Sequence, residues 1–274
     1  MGERIGIIAG SGAFVSRILL ELKQKGVACV VVGVDGETAP ELESQVSAFR
    51  WVKPGELGKA ISFLKEESIQ EVLMLGKLRP ALLFNRHHFD RAAKHVWEKT
   101  ENKSASGVLR AVIGYFEENG FEVRDPLPLL NPFFCREGVL TAAPPSASLL
   151  EDIDIGLGVA RRLADLEIGQ TVIVKDRIIV AVEGLEGTDR AILRGGELVG
   201  PGIVAVKAGR SEQDIRLDVP GVGLETIRTL IKARGAALGI EVDKVAFFER
   251  EEAVALAEAH GITIAVRCVS RGGE

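Results

Sequence analysis

Acidic and basic side chains alternate along two glycine-containing stretches in the second half of the 274-residue chain, at 183–189 and 207–218. Hard cations such as Mg²⁺ take oxygen ligands, and lysine and arginine offset phosphate charge, so this composition suits a Mg²⁺-assisted phosphoryl site. Surface ion pairs beside turns would give the same spacing. The members are Glu183, Glu186, Thr188 and Asp189, then Lys207, Arg210, Gln213, Asp214, Arg216 and Asp218.

A second place for an anion is the sequence Gly10-Ser11-Gly12, which lies between a predicted strand and a predicted helix. Unpaired N–H groups and the helix dipole favour a phosphate there. Val15 replaces the third glycine of the dinucleotide fingerprint, whereas Asp35 ends the second predicted strand, where an NAD site has its ribose-binding acid. A tight turn with Asp35 in a solvent loop is the alternative interpretation.

The loop at 76–80 follows the third predicted strand. Ligands of open α/β sheets bind beyond the carboxyl ends of the strands, so Gly76, Lys77 and Arg79 are placed to meet a negatively charged ligand. A solvated charged loop is the alternative. The histidines at 87, 88 and 95 lack an HExxH arrangement, and the chain has no GxSxG elbow, so neither a zinc site nor a serine nucleophile is favoured.

Apolar runs alternate with amphipathic stretches in residues 1–128, which predicts a domain with a parallel sheet and helices on both faces. Prolines crowd residues 129–147, which we interpret as the connection between domains. Residues 148–274 predict a distinct mixed α/β domain. The predicted strands are 5–9, 28–34, 71–75, 170–175, 177–182, 203–207, 240–248 and 262–266. The predicted helices are 14–25, 57–67, 108–118, 151–166, 224–233 and 250–260, with a turn at 186–189.

The composition is that of an ordinary globular protein, with 46% hydrophobic and 27% charged residues. A formal net charge of −5 argues against non-specific nucleic-acid binding. Cys29, Cys135 and Cys268 are odd in number and lack CxxC spacing, which indicates a reducing compartment. No apolar run reaches the roughly 18–20 residues that a membrane span requires, so a soluble protein is expected.

Three segments of the second half resemble the LpxI-type UDP-2,3-diacylglucosamine pyrophosphatases. They are DLEIGQTVIV at 165–174, AVEGLEGTD at 181–189 and QDIRLDVPGVG at 213–223. IIAGSG at 7–12 and GKLRP at 76–80 match the same family in the same order. The resemblance therefore covers nearly the whole chain, and its C-terminal motifs are the specific ones.

The resemblance implies a Rossmann-like N-terminal domain and Mg²⁺-dependent attack of water on the α-phosphorus of UDP-2,3-diacylglucosamine. The products would be UMP and 2,3-diacylglucosamine 1-phosphate (lipid X), in lipid A biosynthesis. It also implies a homodimer, a cytoplasmic location and peripheral contact with the membrane that holds the lipid. An NAD-dependent oxidoreductase and a non-catalytic nucleotide-sugar-binding protein are the alternative functions.

The resemblance further assigns the site residues. The aspartate that the family requires corresponds to Asp218, and Asp218 and Asp189 are the expected catalytic and metal-binding residues, with a general-base role for Asp218 left open. Around 208–212 the chain departs from the family's Lys-Pro-x-Gln-Asp pattern, which leaves the contacts of Lys207 and Arg210 open. At 104–107 it lacks the acidic pair that relatives often have. The expected substrate-binding residues are Gly10, Ser11, Gly12, Gly76, Lys77, Arg79, Thr188, Lys207, Gln213, Asp214 and Arg216.

Overall fold

The computed structural model describes residues 3–12, 14–79, 82, 86–212, 214, 216 and 219–269. These residues form two compact units. Unit 1 contains the residues up to Leu129 together with Asp214 and Arg216, and unit 2 contains residues 130–212 and 219–269. Among the described residues, we find no helix whose length and hydropathy would let it span a bilayer.

Unit 1 is built on a parallel sheet with the strand order β3-β2-β1-β4-β5. The order reverses beside β1, which is the switch point where Rossmann-like sheets bind ligands. Its strands are β1 (Arg4–Ala9), β2 (Ala28–Val34), β3 (Ala48–Val52), β4 (Glu71–Leu75) and β5 (Glu122–Val123). Its helices are α1 (Phe14–Gln24), α2 (Leu57–Glu66), α3 (Arg91–Lys99) and α4 (Ala105–Glu118), and the short α5 (Leu127–Leu130) contains the boundary between Leu129 and Leu130. The predicted parallel α/β architecture is confirmed.

Unit 2 has a six-stranded mixed sheet with the order β6-β13-β11-β9-β7-β8. Its strands are β6 (Gly138–Val139), β7 (Thr171–Lys175), β8 (Ile178–Val182), β9 (Val204–Lys207), β10 (Gly221–Val222), β11 (Ala237–Glu241), β12 (Ala246–Phe247) and β13 (Thr263–Arg267). Strands β9, β11 and β13 are mutually parallel, whereas β6, β7 and β8 are antiparallel to their neighbours, and β10 pairs with β12. The helices are α6 (Ala147–Asp165), α7 (Thr188–Val199), α8 (Leu224–Lys232) and α9 (Arg250–Ala259).

Both faces of the unit 2 sheet are buried. Side chains on one face, among them Val206, share a buried cluster with α6 residues such as Leu157, and those on the other face share one with residues of α7, α8 and α9. Because successive side chains of a strand point to opposite faces, near-continuous apolar strands are what such a sheet requires. Helix α6 crosses closely, since a Cβ on Gly156 would lie 2.6 Å from the Val206 side chain.

Several predicted boundaries were wrong. The expected strand at 240–248 covers only the end of β11 and then β12, because the chain turns between them through Asp243 at φ 55°. The expected turn at 186–189 ends at Thr188, where α7 begins, and that helix was missed because Gly195 and Gly196 suggest a break. Instead these glycines let α7 pack closely, since a Cβ on Gly195 would lie 2.6 Å from Ile173.

Helix starts and short elements also differ from the expectation. Helix α6 begins at Ala147 because the Ser146 hydroxyl accepts a hydrogen bond from the Leu149 N–H at 3.2 Å, and α4 likewise begins after Ser104. Strand β3 and helix α3 were not predicted. Their sequences mix charged and aromatic residues with few aliphatic ones, which hides the period of the element.

Candidate functional site

The loops after β1 and β4 meet at the switch point of unit 1. The Gly10 N–H donates to the Leu75 carbonyl at 2.7 Å, and the Ser11 N–H to the Lys77 carbonyl at 2.8 Å. The Lys77 N–H in turn donates a hydrogen bond to the Ser11 carbonyl at 2.8 Å. The structure thus brings three of the expected substrate-binding residues together, namely Gly10, Ser11 and Lys77. The N–H groups of Gly10 and Ser11 serve the junction of the two loops rather than an anion.

This junction explains two of the glycines. A Cβ on Gly10 would lie 2.5 Å from the Lys77 carbonyl oxygen. Gly76 has φ +92°, and a Cβ on it would lie 2.7 Å from the Gly10 carbonyl carbon. Both positions therefore require glycine because one loop backbone contacts the other, whether or not a ligand also approaches.

Arg79 is held beside the same sheet edge. Its Nε lies 2.5 Å from Oε1 of Glu37, whose side chain is only 2% exposed, whereas the Arg79 side chain is 67% exposed. The neighbouring Thr38 hydroxyl donates to the Ala9 carbonyl at 2.5 Å and accepts from the Val34 N–H at 2.7 Å. The turn after β2 is thereby tied to β1. The Arg79 guanidinium is held through its Nε and, more weakly, through a terminal nitrogen that lies 3.4 Å from the Gly36 carbonyl oxygen, and most of the side chain faces solvent.

In unit 2, four side chains converge where β7, β8, β9 and α7 meet. The antiparallel register places Thr171 opposite Lys207, Glu183 follows β8, and Thr188 begins α7. The Lys207 Nζ donates to the Thr188 hydroxyl at 2.8 Å and the Thr171 hydroxyl at 3.1 Å, and lies 3.6 Å from Glu183 Oε2. The Thr188 hydroxyl donates to Glu183 Oε1 at 2.9 Å. We call these four residues the buried lysine cluster.

The cluster is a closed electrostatic unit. Lys207 is 2% exposed, and its three ammonium hydrogens have three protein partners in this cluster. Burial opposes ionisation of Glu183, but the charge of Lys207 and hydrogen bonds from the two threonine hydroxyls and the Gln170 N–H prevail and lower its pKa to about 2. The geometry gives Lys207 a positioning role, since it holds the first residue of α7.

We predict that this carboxylate makes unit 2 sensitive to acid. A folded-state pKa of about 2, below the usual 4.5, means that Glu183 stabilises the fold above pH 4.5 and that this stability is lost as the pH falls towards 2. The shift corresponds to about 3 kcal/mol. Unfolding free energies measured by urea denaturation across this pH range should show the loss, and Glu183→Gln should flatten it. An equally steep loss in the variant would assign the acid sensitivity to other carboxylates.

The three acids of the 183–189 turn differ in their contacts. Glu183 lies in the cluster, and Glu186 accepts from the Gly184 N–H at 3.1 Å and from Arg194 at 2.6 Å, which closes the turn before α7. Asp189 is exposed in the first turn of α7, and its carboxylate forms no hydrogen bond or ion pair with the described residues. Asp189 is therefore the acid of this turn that can reach a ligand or a cation.

The second expected stretch divides between the two units. Asp214 and Arg216 belong to unit 1, where the Arg216 guanidinium donates to both carboxylate oxygens of Asp214 at 3.1 and 3.0 Å and lies 3.4 Å from Glu117 of α4. These hydrogen bonds lower the pKa of Asp214. Gln213 and Asp218 lie outside the described residues.

The loop at 208–212, where the chain departs from the family pattern, is anchored within unit 2. The Ser211 N–H and hydroxyl both donate to Asp165, at 2.7 and 2.8 Å, and the Gly209 N–H donates to buried Glu241 at 3.1 Å. Arg210 lies 3.0 Å from Glu167. A different sequence thus still gives a loop with defined protein contacts.

Among the described residues, no three histidine, cysteine, aspartate or glutamate side chains are gathered as a metal site. From the sequence alone, Glu183 is one member of an acidic cluster with no role of its own, and Thr171 has no expected role. Only the pairing of β7 with β9 shows that these residues surround Lys207. A polar residue at the start of an otherwise apolar strand was the available signal.

The fold and site define a two-unit α/β protein, with a Rossmann-like parallel sheet in one unit and a mixed sheet with a buried ion pair in the other. The LpxI N-terminal domain family matches residues 4–132, and the LpxI C-terminal domain family matches residues 136–265. The chain therefore belongs to the LpxI family.

A curated relative and a solved structure complete the comparison. The chain is 28% identical, over 96% of both sequences, to the UDP-2,3-diacylglucosamine pyrophosphatase LpxI of Caulobacter vibrioides. A solved structure of the CobK precorrin-6A reductase is 10% identical with a TM-score of 0.37, covering 99% of this chain and 90% of that one.

Proposed function

We propose that the protein hydrolyses the pyrophosphate of UDP-2,3-diacylglucosamine in lipid A synthesis. The observation that carries this proposal is the match to both LpxI domains in order, together with a full-length relative of that named activity. Water attacks the α-phosphorus, the bond from that phosphorus to the bridging oxygen breaks, and the bridging oxygen leaves with the β-phosphate. The products are UMP and lipid X.

The exposed polar groups at each unit's sheet edge support a phosphate-containing substrate. In unit 1, Lys77 and Arg79 follow β4 at the switch point, where an anion is expected. In unit 2, the N-terminus of α7 is fixed by the buried lysine cluster and favours negative charge. We propose that these two places, with Gly12, Asp214 and Arg216, contact the substrate.

We further propose that the reaction depends on Mg²⁺. Mg²⁺ keeps several waters and is often bound through one or two carboxylates plus substrate phosphates, so a ready-made cage of three side chains is not needed. Asp189 fits as one such ligand because its carboxylate is exposed. Asp218 would be the second, on the strength of the resemblance. When bound, Mg²⁺ supplies positive charge that stabilises the phosphoryl transition state.

The test is release of UMP from UDP-2,3-diacylglucosamine by the purified protein, with Mg²⁺ and with a chelator. We expect metal-dependent release of UMP and lipid X in equal amounts. The Mg²⁺ concentration for half-maximal rate should rise about tenfold in Asp189→Asn, because a charged ligand is lost. No release with Mg²⁺ or Mn²⁺ would overturn the proposed reaction.

Asp176→Asn is the matched control for that substitution. Asp176 is an exposed aspartate in the β7–β8 turn with φ +50°, a conformation that asparagine also accepts. Its metal titration should equal that of the wild type. If Asp189→Asn also leaves the titration unchanged while activity persists, Asp189 is not a metal ligand and the reaction stands.

We also propose a homodimer in the cytoplasm that meets its lipid at the membrane surface. The location rests on cysteine chemistry. Cys29, Cys135 and Cys268 are free thiols, and burial raises the pKa of Cys29 to about 11, which keeps it protonated and unreactive. Free buried thiols suit a reducing compartment.

A further inference from the structure

Positive charge is unevenly distributed along this chain. Residues 77–103 contain seven lysines and arginines against three acids, whereas the whole chain has 34 against 39. Three of the four histidines, His87, His88 and His95, lie in the same segment. A local excess of positive charge in a protein with a formal net charge of −5 indicates a surface that meets a negatively charged partner.

Helix α3 presents part of this charge on one face. Its apolar side chains Ala93 and Val96 are buried, whereas Arg91, Lys94 and Lys99 are exposed. Residues three or four positions apart share a face of an α-helix, so the exposed cations lie side by side. The three cationic side chains form no ion pair with the described residues. Their charges are therefore available to a partner.

Lys103 extends this face beyond the end of α3. Its ammonium lies 4.7 Å from the centre of the Trp97 ring and donates to the carbonyl oxygens of Trp97 and Thr100. These groups are neutral, so they leave the positive charge of Lys103 uncancelled. Glu98 and Glu101 are exposed acids in the same stretch, which leaves four cations against two acids. We define the α3 surface as Arg91, Lys94, Glu98, Lys99, Glu101 and Lys103.

The α3 surface begins at the edge of the sheet that carries the switch-point loops. The Asp90 N–H donates to the Gly55 carbonyl at 3.0 Å, and the Asp90 carboxylate accepts from the N–H groups of Gly58 at 2.7 Å and Ala93 at 2.8 Å. Gly55 follows the carboxyl end of β3, which is parallel to the other strands of this sheet. The start of α3 therefore lies at the same sheet edge as the loops after β1 and β4.

We propose that the α3 surface binds the anionic face of a lipid bilayer and so brings this edge of unit 1 to the membrane. Lysine and arginine are attracted to anionic headgroups over about a Debye length, roughly 8 Å at physiological salt. Acidic residues on other faces of the protein therefore do not cancel the attraction. The proposal deepens the function proposed above and rests on it only for a reason to meet a bilayer, since a lipid-linked substrate lies there.

The chemistry of the surface favours headgroup contact over other modes of binding. Among the described residues of 87–103, no large apolar side chain is exposed. Insertion into the acyl region and an apolar protein interface both require such side chains. The acidic net charge of the chain argues against nucleic acid, which is bound through a more extensive basic field.

Co-sedimentation with vesicles measures this binding. We expect the protein to bind vesicles of phosphatidylcholine with about one-third phosphatidylglycerol, but not phosphatidylcholine alone, and to be released by about 0.5 M NaCl. Each cation near the surface contributes about fivefold in affinity, so Lys94→Gln/Lys99→Gln should bind roughly twentyfold more weakly. Glu98→Gln should bind about fivefold more tightly, because it removes a repelled charge.

Lys23→Gln/Lys25→Gln is the matched control. It removes two exposed positive charges from around the end of α1 in the same unit, and its binding to vesicles should equal that of the wild type. Equal weakening in the two double variants would overturn the proposal, because net charge and not the α3 surface would then govern binding. Binding to duplex DNA as tight as that to anionic vesicles would also overturn it and would assign the surface to nucleic acid.

Hydrolysis of the lipid substrate in neutral detergent micelles separates this proposal from the proposed reaction. Lys94→Gln/Lys99→Gln should keep the wild-type rate in micelles and show a raised KM with unchanged kcat when the substrate is in anionic vesicles. Hydrolysis in micelles without vesicle binding that depends on phosphatidylglycerol overturns the role of the α3 surface and leaves the reaction in place. The expected vesicle binding by a protein that hydrolyses nothing supports the surface and overturns the reaction.

Discussion

Asp218→Ala is expected to lower the rate of UMP release by about three orders of magnitude while lipid X still binds. The resemblance assigns Asp218 to the reaction, and a carboxylate beside a metal and two phosphates acts mainly on the charge that develops in the transition state. Its loss should therefore reduce kcat and kcat/KM together, with little effect on ground-state binding. The measurement is the rate of UMP release, with lipid X binding determined separately on the same preparation.

Asp218→Glu is the matched control because it keeps the charge and adds one methylene. We expect it to recover part of the lost rate at raised Mg²⁺, since a displaced carboxylate can still bind a metal. Near-normal release by Asp218→Ala would remove this residue from the mechanism. Loss of lipid X binding along with activity would instead assign Asp218 to substrate binding.

Lys207→Met is expected to destabilise the protein by about 3 kcal/mol at neutral pH. The substitution keeps the apolar stem but leaves the Glu183 carboxylate, which is 12% exposed, without its cation. Removal of one partner from a buried ion pair commonly costs this much because the other charge remains desolvated. The change is measured by urea denaturation of the wild type and the variant, with unfolding monitored through a spectroscopic probe placed in unit 2.

The double variant Lys207→Met/Glu183→Gln provides the control. It removes the unpaired Glu183 charge, so it should recover most of the stability lost in Lys207→Met. The double-mutant cycle built from the two single variants and the double variant gives the coupling energy between the two side chains. A loss below about 1 kcal/mol in Lys207→Met would show that water reaches Glu183. Any change in KM or in Mg²⁺ dependence, measured where both proteins are fully folded, reports the positioning of Thr188 separately from stability.

Local patterns in the sequence were sufficient for three of the five strands of the Rossmann-like unit, β1, β2 and β4. Strands such as β2, with the sequence ACVVVGV, are short, apolar and rich in β-branched residues, and amphipathic helices separate them. Periodicity and composition are local properties, so the parallel sheet followed without any knowledge of contacts. The strand order and its switch point came only from the structure. The motifs at 181–189 and 213–223 likewise indicated the family before the fold was known.

Glycine and turn residues were less informative, because their role depends on what packs against them. Gly195 and Gly196 lie within α7, which was not predicted, and they pack against Ile173 and the Ala233 backbone. Gly10 suggested a phosphate-binding turn, but glycine is required there because the loop that follows β4 contacts its backbone closely. A missing side chain indicates a close neighbour, but the sequence does not state whether that neighbour is a ligand or the protein itself.

The sequence by itself determined the two-part α/β architecture, the family and the residue types available for phosphoryl chemistry. Only the tertiary structure decided that Lys207 faces Thr171, Glu183 and Thr188 rather than the solvent. These residues are up to 36 positions apart in the chain and meet through the antiparallel register of β7 with β9. Strand pairing depends on long-range packing across the whole sheet. No local sequence pattern could therefore place this ion pair at the start of α7.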